Sequence, residues 1–185
     1  YITLMLAEHL RAQGMDVGVM KPISAGPAAE NDAVLLKKEL KLSDPIELIN
    51  PIKLKYPLAP YPAAKKEGKK IDLKKIFKAY ASLSKDHELI LVEGIGGVAV
   101  PITANYTVID LIRDMGLPAI IVARAGLGTI NHTLLTVSAL KQEGIEILGI
   151  IMNGFKGKEL SERSNAQMIE KLSGIKVLAK IPFER

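Results

Sequence analysis

The chain has 185 residues, 48% of them hydrophobic, and a formal net charge of +5. That length fits one domain with a real core, and no apolar run is long enough for a membrane span, so a soluble globular protein with no membrane partner is expected. With no cysteine and no secretory signal in the first ten residues, disulfides and thiolate metal sites are excluded and a cytoplasmic location is expected.

Ile2, Leu6 and Leu10 recur at four-residue spacing, which predicts a helix from the start of the chain to Gly14, a residue favoured just past a helix end. Nothing suited to capping precedes it and the first residue is Tyr rather than Met, so upstream residues are expected. Val17-Gly18-Val19-Met20 reads as a strand that delivers Lys21 and Pro22 to its carboxyl end. Asn31 or Asp32 is placed to cap a helix through Val34, Leu35, Leu36 and Leu40. Pro45 to Pro62, with Pro51, Pro57 and Pro60 between, reads as loop or edge structure. The lysines from Lys65 to Lys78 are broken by Glu67 and Asp72, with only Phe77 and Tyr80 nearby. They predict a solvated face rather than a nucleic-acid surface. His9 and His87 read as surface residues.

A helix is predicted over Asp72 to Ser84, followed by Leu89-Ile90-Leu91-Val92, an apolar strand of the kind buried on both faces of a parallel sheet. Thr107 to Met115 reads as a helix, Pro118 to Arg124 as a strand, and Gly126 to Gly128 as a turn into a helix from Thr129 to about Gln142. Ile145 to Met152 is a predicted strand with Asn153-Gly154 as a turn, Lys158 to Leu172 a helix, and Val177 to Ile181 a last strand before Pro182. Strand and helix alternate without an internal repeat, so the class is α/β with a mainly parallel sheet and one domain over residues 1–185.

Ligands of open α/β sheets lie at the carboxyl ends of the strands. Lys21, Glu93, Ala125-Gly128 and Asn153 all fall there. Glu93 opens into Gly94-Ile95-Gly96-Gly97, where backbone N–H groups can approach a ligand closely, and a metal–phosphate site is the natural occupant. The alternative is a strand whose last carboxylate simply faces water. Lys21 offers a point charge for phosphate, or is an exposed lysine after a strand. Asp32 can share Mg²⁺ with Glu93, since this hard ion takes one or two carboxylates plus phosphate oxygens, and it can equally serve as a helix cap. The helix opening Thr129-Ile130-Asn131-His132 leaves free N–H groups for an anion, whereas His132 has no second ligand at metal spacing. The Asn153 amide can both donate to and accept from an adenine edge, or it can form an Asn-Gly turn.

Lys21-Pro-Ile-Ser-Ala-Gly26, Asn31-Asp32, Val92-Glu-Gly-Ile-Gly-Gly97, Tyr106-Thr-Val-Ile-Asp-Leu-Ile-Arg113 and Gly126-Leu-Gly-Thr-Ile-Asn-His-Thr133 closely resemble the dethiobiotin synthetase family. Asn153-Gly154 and Ile181-Pro182 follow in the same order. The resemblance covers essentially the whole chain. It implies a P-loop NTPase-like fold with helices on both faces of the sheet, a homodimer, and an ATP- and Mg²⁺-dependent ring closure of diaminopelargonate with CO₂ or bicarbonate in biotin biosynthesis. By position it implies Lys21 as the catalytic lysine and Asp32 and Glu93 as Mg²⁺ ligands. Gly94, Ile95 and Gly96 would line the nucleotide site, and Asn153, Gly154, Pro182, Phe183 and Glu184 would contact adenine. Thr129, Ile130 and Asn131 would hold the substrate carboxylate across the dimer interface.

Two departures from the family pattern stand out. Ala25 occupies the position where a hydroxyl usually meets substrate, with Ser24 next door as its replacement. The family's glycine-rich phosphate loop ending in Gly-Lys-Thr or Gly-Lys-Ser is expected directly before Tyr1, after a short apolar strand. A nucleotide-binding regulatory or interaction domain is the alternative on the same fold, and a non-catalytic dimer partner a third.

Overall fold

The computed structural model describes residues 1–27, 31–158 and 160–183. The chain forms two compact units, Tyr1–Val108 and Ile109–Arg185.

In the first unit, helix α1 (Ile2–Ala12) carries no side-chain cap and ends before Gly14, whose φ of 88° suits a residue without a Cβ. Strand β1 (Val17–Met20) is buried along its whole length. Val17 and Val19 join Ala7, Leu36, Leu40 and Ile49 in one apolar cluster. Each valine, leucine or isoleucine among them contributes about 1.5–3 kcal/mol of burial. β1 pairs in parallel with β4 (Leu89–Val92), Val17 opposite Leu89 and Met20 opposite Val92. That register brings the two strand ends level, so Lys21 and Glu93 leave the sheet side by side, and Glu93 N donates to Met20 O at 2.8 Å.

β4 departs from the expectation of full burial: all four of its residues are half-buried. Among the described residues it pairs with β1 alone.

Between β1 and β4 run β2 (Ile23–Ala25), α2 (Asp32–Glu39), α3 (Ile46–Ile49), β3 (Ile52–Leu54), α4 (Pro60–Lys66) and α5 (Leu73–Asp86). β2 and β3 form a separate parallel pair. The proline-rich stretch is thus more regular than loop. Pro60 sits in the first turn of α4, where a missing N–H is harmless, and Pro51 immediately precedes β3. α5 is capped by Asp72, whose side chain accepts from Lys74 N. His87 is not a surface residue: its side chain is 11% exposed and lies between Asp16 and Asp44. A short antiparallel hairpin, β5 (Pro101–Thr103) with β6 (Tyr106–Thr107), leads into α6 (Val108–Met115).

The second unit alternates β7 (Ala119–Arg124), α7 (Thr129–Gln142), β8 (Ile147–Phe155), α8 (Leu160–Ser173) and β9 (Val177–Pro182) around a parallel sheet of order β7-β8-β9. Asn165 of α8 donates to the carbonyls of Ala125 and Gly126 and so pins the turn before α7. Asn153-Gly154 is not the expected turn. Asn153 stays in β8, opposite Arg124 and Ile181, and the chain irregularity falls just after it, where Gly154 takes a φ of 84°. Pairing of Asn153 on both sides keeps it in the strand, so the Asn-Gly pair makes a local irregularity at Gly154 rather than a chain reversal.

Candidate active site

Lys21 is 6% exposed, and its backbone N–H donates to Ile49 O at 2.7 Å. The ammonium reaches Glu93 Oε1 at 2.6 Å, Asp32 Oδ2 at 3.0 Å and the Gly94 carbonyl at 3.1 Å. Burial by itself would lower the Lys21 pKa, but the hydrogen bonds and charges of Glu93 and Asp32 outweigh it and raise the group above its ordinary value. Lys21 is therefore a fixed cation at neutral pH.

The other Glu93 oxygen accepts from the Thr3 hydroxyl on α1, a residue with no sequence signal of its own. Helix α2 supplies Asp32. Asn31, not Asp32, is the cap: its side chain accepts from Ala33 N at 2.9 Å, leaving the Asp32 carboxylate for Lys21.

Lys21, Asn31 and Asp32 border a cleft of about 220 Å³, with Ser24, Ala25 and Gly96 among its other lining residues, while Glu93 stands behind Lys21 outside that lining. Ile95 also lines it. Gly96 has a φ of 66°, and a Cβ there would meet Val100 Cγ2 at 2.9 Å, so this turn needs glycine. Gly94 is different, because a Cβ there would make only an ordinary contact of 3.7 Å. Ser24 donates its proton to Asn50 Oδ1 at 2.8 Å and accepts from Asn31 Nδ2 at 3.2 Å. It therefore faces the cleft as an acceptor only. A depression of about 290 Å³ bordered by Lys53, Lys69, Lys70 and Lys75 contains none of the sequence-predicted site residues.

Asp32 and Glu93 place two carboxylates around one ammonium, a net charge of −1, and such hard oxygen donors fit a divalent cation arriving with phosphate oxygens. The donor set therefore suits Mg²⁺.

In the second unit, Asn153, Gly154, Pro182 and Phe183 gather at the carboxyl end of the three-stranded sheet. Phe183, 55% exposed, donates its N–H to Phe155 O at 2.7 Å, and its ring lies beneath Lys156 Nζ at 5.3 Å. Glu184 lies outside the described residues. Thr129, Ile130 and Asn131 open α7 behind Gly128, at φ 89°, with no side-chain cap. Thr129 is 2% exposed, Ile130 half-buried and Asn131 exposed. Arg124 reaches His132 Nδ1 at 3.2 Å.

A strand-end lysine between two carboxylates, on an α/β scaffold of parallel strands, defines the class as a parallel α/β fold with its charged site at the strand ends. The ParA family ATPase of Chlorobium tepidum TLS matches with a TM-score of 0.58 at 15% identity, covering 100% of this chain and 79% of the other. The cell division ATPase MinD of Pyrococcus furiosus gives 0.57 at 17% identity, over 99% and 77% of the two chains. At such identities the likeness is one of fold. The family model for the AAA domain matches residues 1–185. The ATP-dependent dethiobiotin synthetase of Aquifex aeolicus is 46% identical over 95% of this chain and 80% of its own length. That of Bacillus licheniformis is 44% identical, over 98% and 79%. The chain belongs to the ATP-dependent dethiobiotin synthetase family.

Proposed function

We infer that this protein makes dethiobiotin from diaminopelargonate, carbon dioxide and ATP. The observation that carries the reading is the Lys21 ammonium held between Asp32 and Glu93 at a cleft, in a chain 46% identical to the Aquifex synthetase. One substrate amine adds to carbon dioxide as a carbamate, and a carbamate oxygen takes the γ-phosphoryl group. The second amine then attacks the carbonyl carbon and expels phosphate, leaving a cyclic urea, ADP and phosphate. Such a sequence needs positioning and charge stabilisation rather than a covalent nucleophile on the protein.

Lys21, charged throughout the neutral range, offers its ammonium to a carbamate or phosphoryl oxygen. Asp32 and Glu93 would hold Mg²⁺, which when bound supplies positive charge to the phosphate oxygens. The turn at Gly94, Ile95 and Gly96 lets backbone come close to the nucleotide, and Ser24 and Ala25 form the substrate wall of the cleft. Asn153 can read an adenine edge in both directions, with Gly154, Pro182 and Phe183 as neighbours. The opening of α7 at Thr129, Ile130 and Asn131 receives the substrate carboxylate in a homodimer. A cytoplasmic location goes with this biosynthetic role, and no helix among the described residues is long and apolar enough to cross a membrane.

The test is product formation by the full-length protein from diaminopelargonate, bicarbonate and MgATP, followed by mass spectrometry. Dethiobiotin with matching ADP is expected. Nucleotide binding without dethiobiotin would replace this reading by a nucleotide-sensing domain on the same fold.

A further inference from the structure

Asn50 is fully buried, between α3 and β3. Its Nδ2 donates to the carbonyls of Lys21 at 2.7 Å and Ile52 at 3.2 Å. Carbonyls only accept, so the amide nitrogen must lie on that side and Oδ1 on the other. Oδ1 accepts from Ser24 Oγ at 2.8 Å and from Asn31 Nδ2 at 3.1 Å. Asn31 in turn caps α2 through its own side-chain oxygen. Both protons and both lone pairs of the Asn50 amide are thus in use.

The segments joined in this way are not arbitrary. One is the backbone of Lys21, one is Ser24 on the cleft wall, and the third is the residue before Asp32. The Lys21 ammonium and the Asp32 carboxylate approach to 3.0 Å from two different segments, and the Asn50 amide joins the Lys21 backbone carbonyl to the side chain of Asn31, the residue before Asp32. We propose that Asn50 is a positioning residue, holding Lys21 and the start of α2 so that Lys21, Asp32 and Glu93 meet at one point. The inference rests on the reading of these three residues as the phosphate and metal site. Asn50 touches no ligand in this role; it acts through its neighbours. Partners behind a metal shell commonly matter about tenfold or more to affinity or rate.

Two variants of the full-length protein test it. Asn31→Ser keeps a good helix cap but removes the amide protons that reach Ser24 and Asn50. Asn50→Ala removes the amide itself, and should it fail to fold, Asn31→Ser decides alone. Each is titrated with Mn²⁺ and a non-hydrolysable ATP analogue by electron paramagnetic resonance, and kcat and KM are measured separately. The expected result is Mn²⁺ binding weaker by about tenfold and kcat lower by about tenfold, with the Asn31→Ser melting midpoint close to wild type. Wild-type Mn²⁺ affinity and wild-type kcat in Asn31→Ser would overturn the proposal and leave the network a packing feature. Absence of dethiobiotin from the wild-type protein would overturn the activity reading alone. The Mn²⁺ shift would then still support Asn50 as a positioning residue, and an unshifted affinity would overturn that too.

Discussion

Glu93 has a separate partner on each oxygen, the Thr3 hydroxyl on one and the Lys21 ammonium on the other. Replacing it by Gln keeps the shape and removes the charge. With its side chain 25% exposed, the fold should survive. Glu93→Gln should lower kcat by about tenfold or more and raise the Mg²⁺ concentration needed for half-maximal rate. Rates across a Mg²⁺ series check it, and an unchanged dependence would remove Glu93 from the metal shell. His87 is a second residue whose neighbours set its charge. Burial pulls its pKa down, but the hydrogen bonds and charges of Asp16 and Asp44 outweigh this and leave it raised. Protons therefore bind the folded state more tightly than the unfolded one. The stabilisation is complete below the ordinary histidine pKa and is lost as pH rises through the raised value. The melting difference between wild type and His87→Gln should thus be larger at about pH 6 than at about pH 9. A difference that stays constant with pH would exclude this proton linkage.

β1 shows how a whole element depends on one small residue. A Cβ on Gly18 would meet His87 Cδ2 at 2.5 Å and Cγ at 2.8 Å, and the ring has little room to yield between two carboxylates. Gly18→Ala should cost about 1–3 kcal/mol in urea unfolding and flatten the pH dependence ascribed to His87. Retained stability would mean that the ring moves freely. Most elements were legible beforehand, because α1, α5, α7 and α8 have helical apolar spacing and β1, β4, β7 and β8 have short apolar cores. The three-residue strands β2 and β3 and the hairpin β5–β6 were not, since segments so short carry no periodicity. Asn153-Gly154 misled for another reason. Turn chemistry is a local preference, and pairing with strands on both sides overrode it.

For the molecule as a whole, length and composition fit one folding unit, while the described chain gathers into two compact units. The single-domain reading leads to one calorimetric transition in the full-length protein. MgATP should move it upward by an amount that grows with ligand concentration. Two transitions, only one of them moved by nucleotide, would give the units independent stability. The sequence alone determined the α/β class, the order of the main elements and the strand-end placement of Lys21 and Glu93. Those properties follow from apolar spacing and glycine position along the chain. Tertiary structure decided that Asn31 rather than Asp32 caps α2, and that the Ser24 proton points to Asn50. It also drew Thr3, Asn50 and the pair Asp16 and Asp44 into polar networks without a motif to announce them. A hydrogen bond depends on which atoms meet in space, and residues 72 or 90 positions apart meet only once the strands are in register.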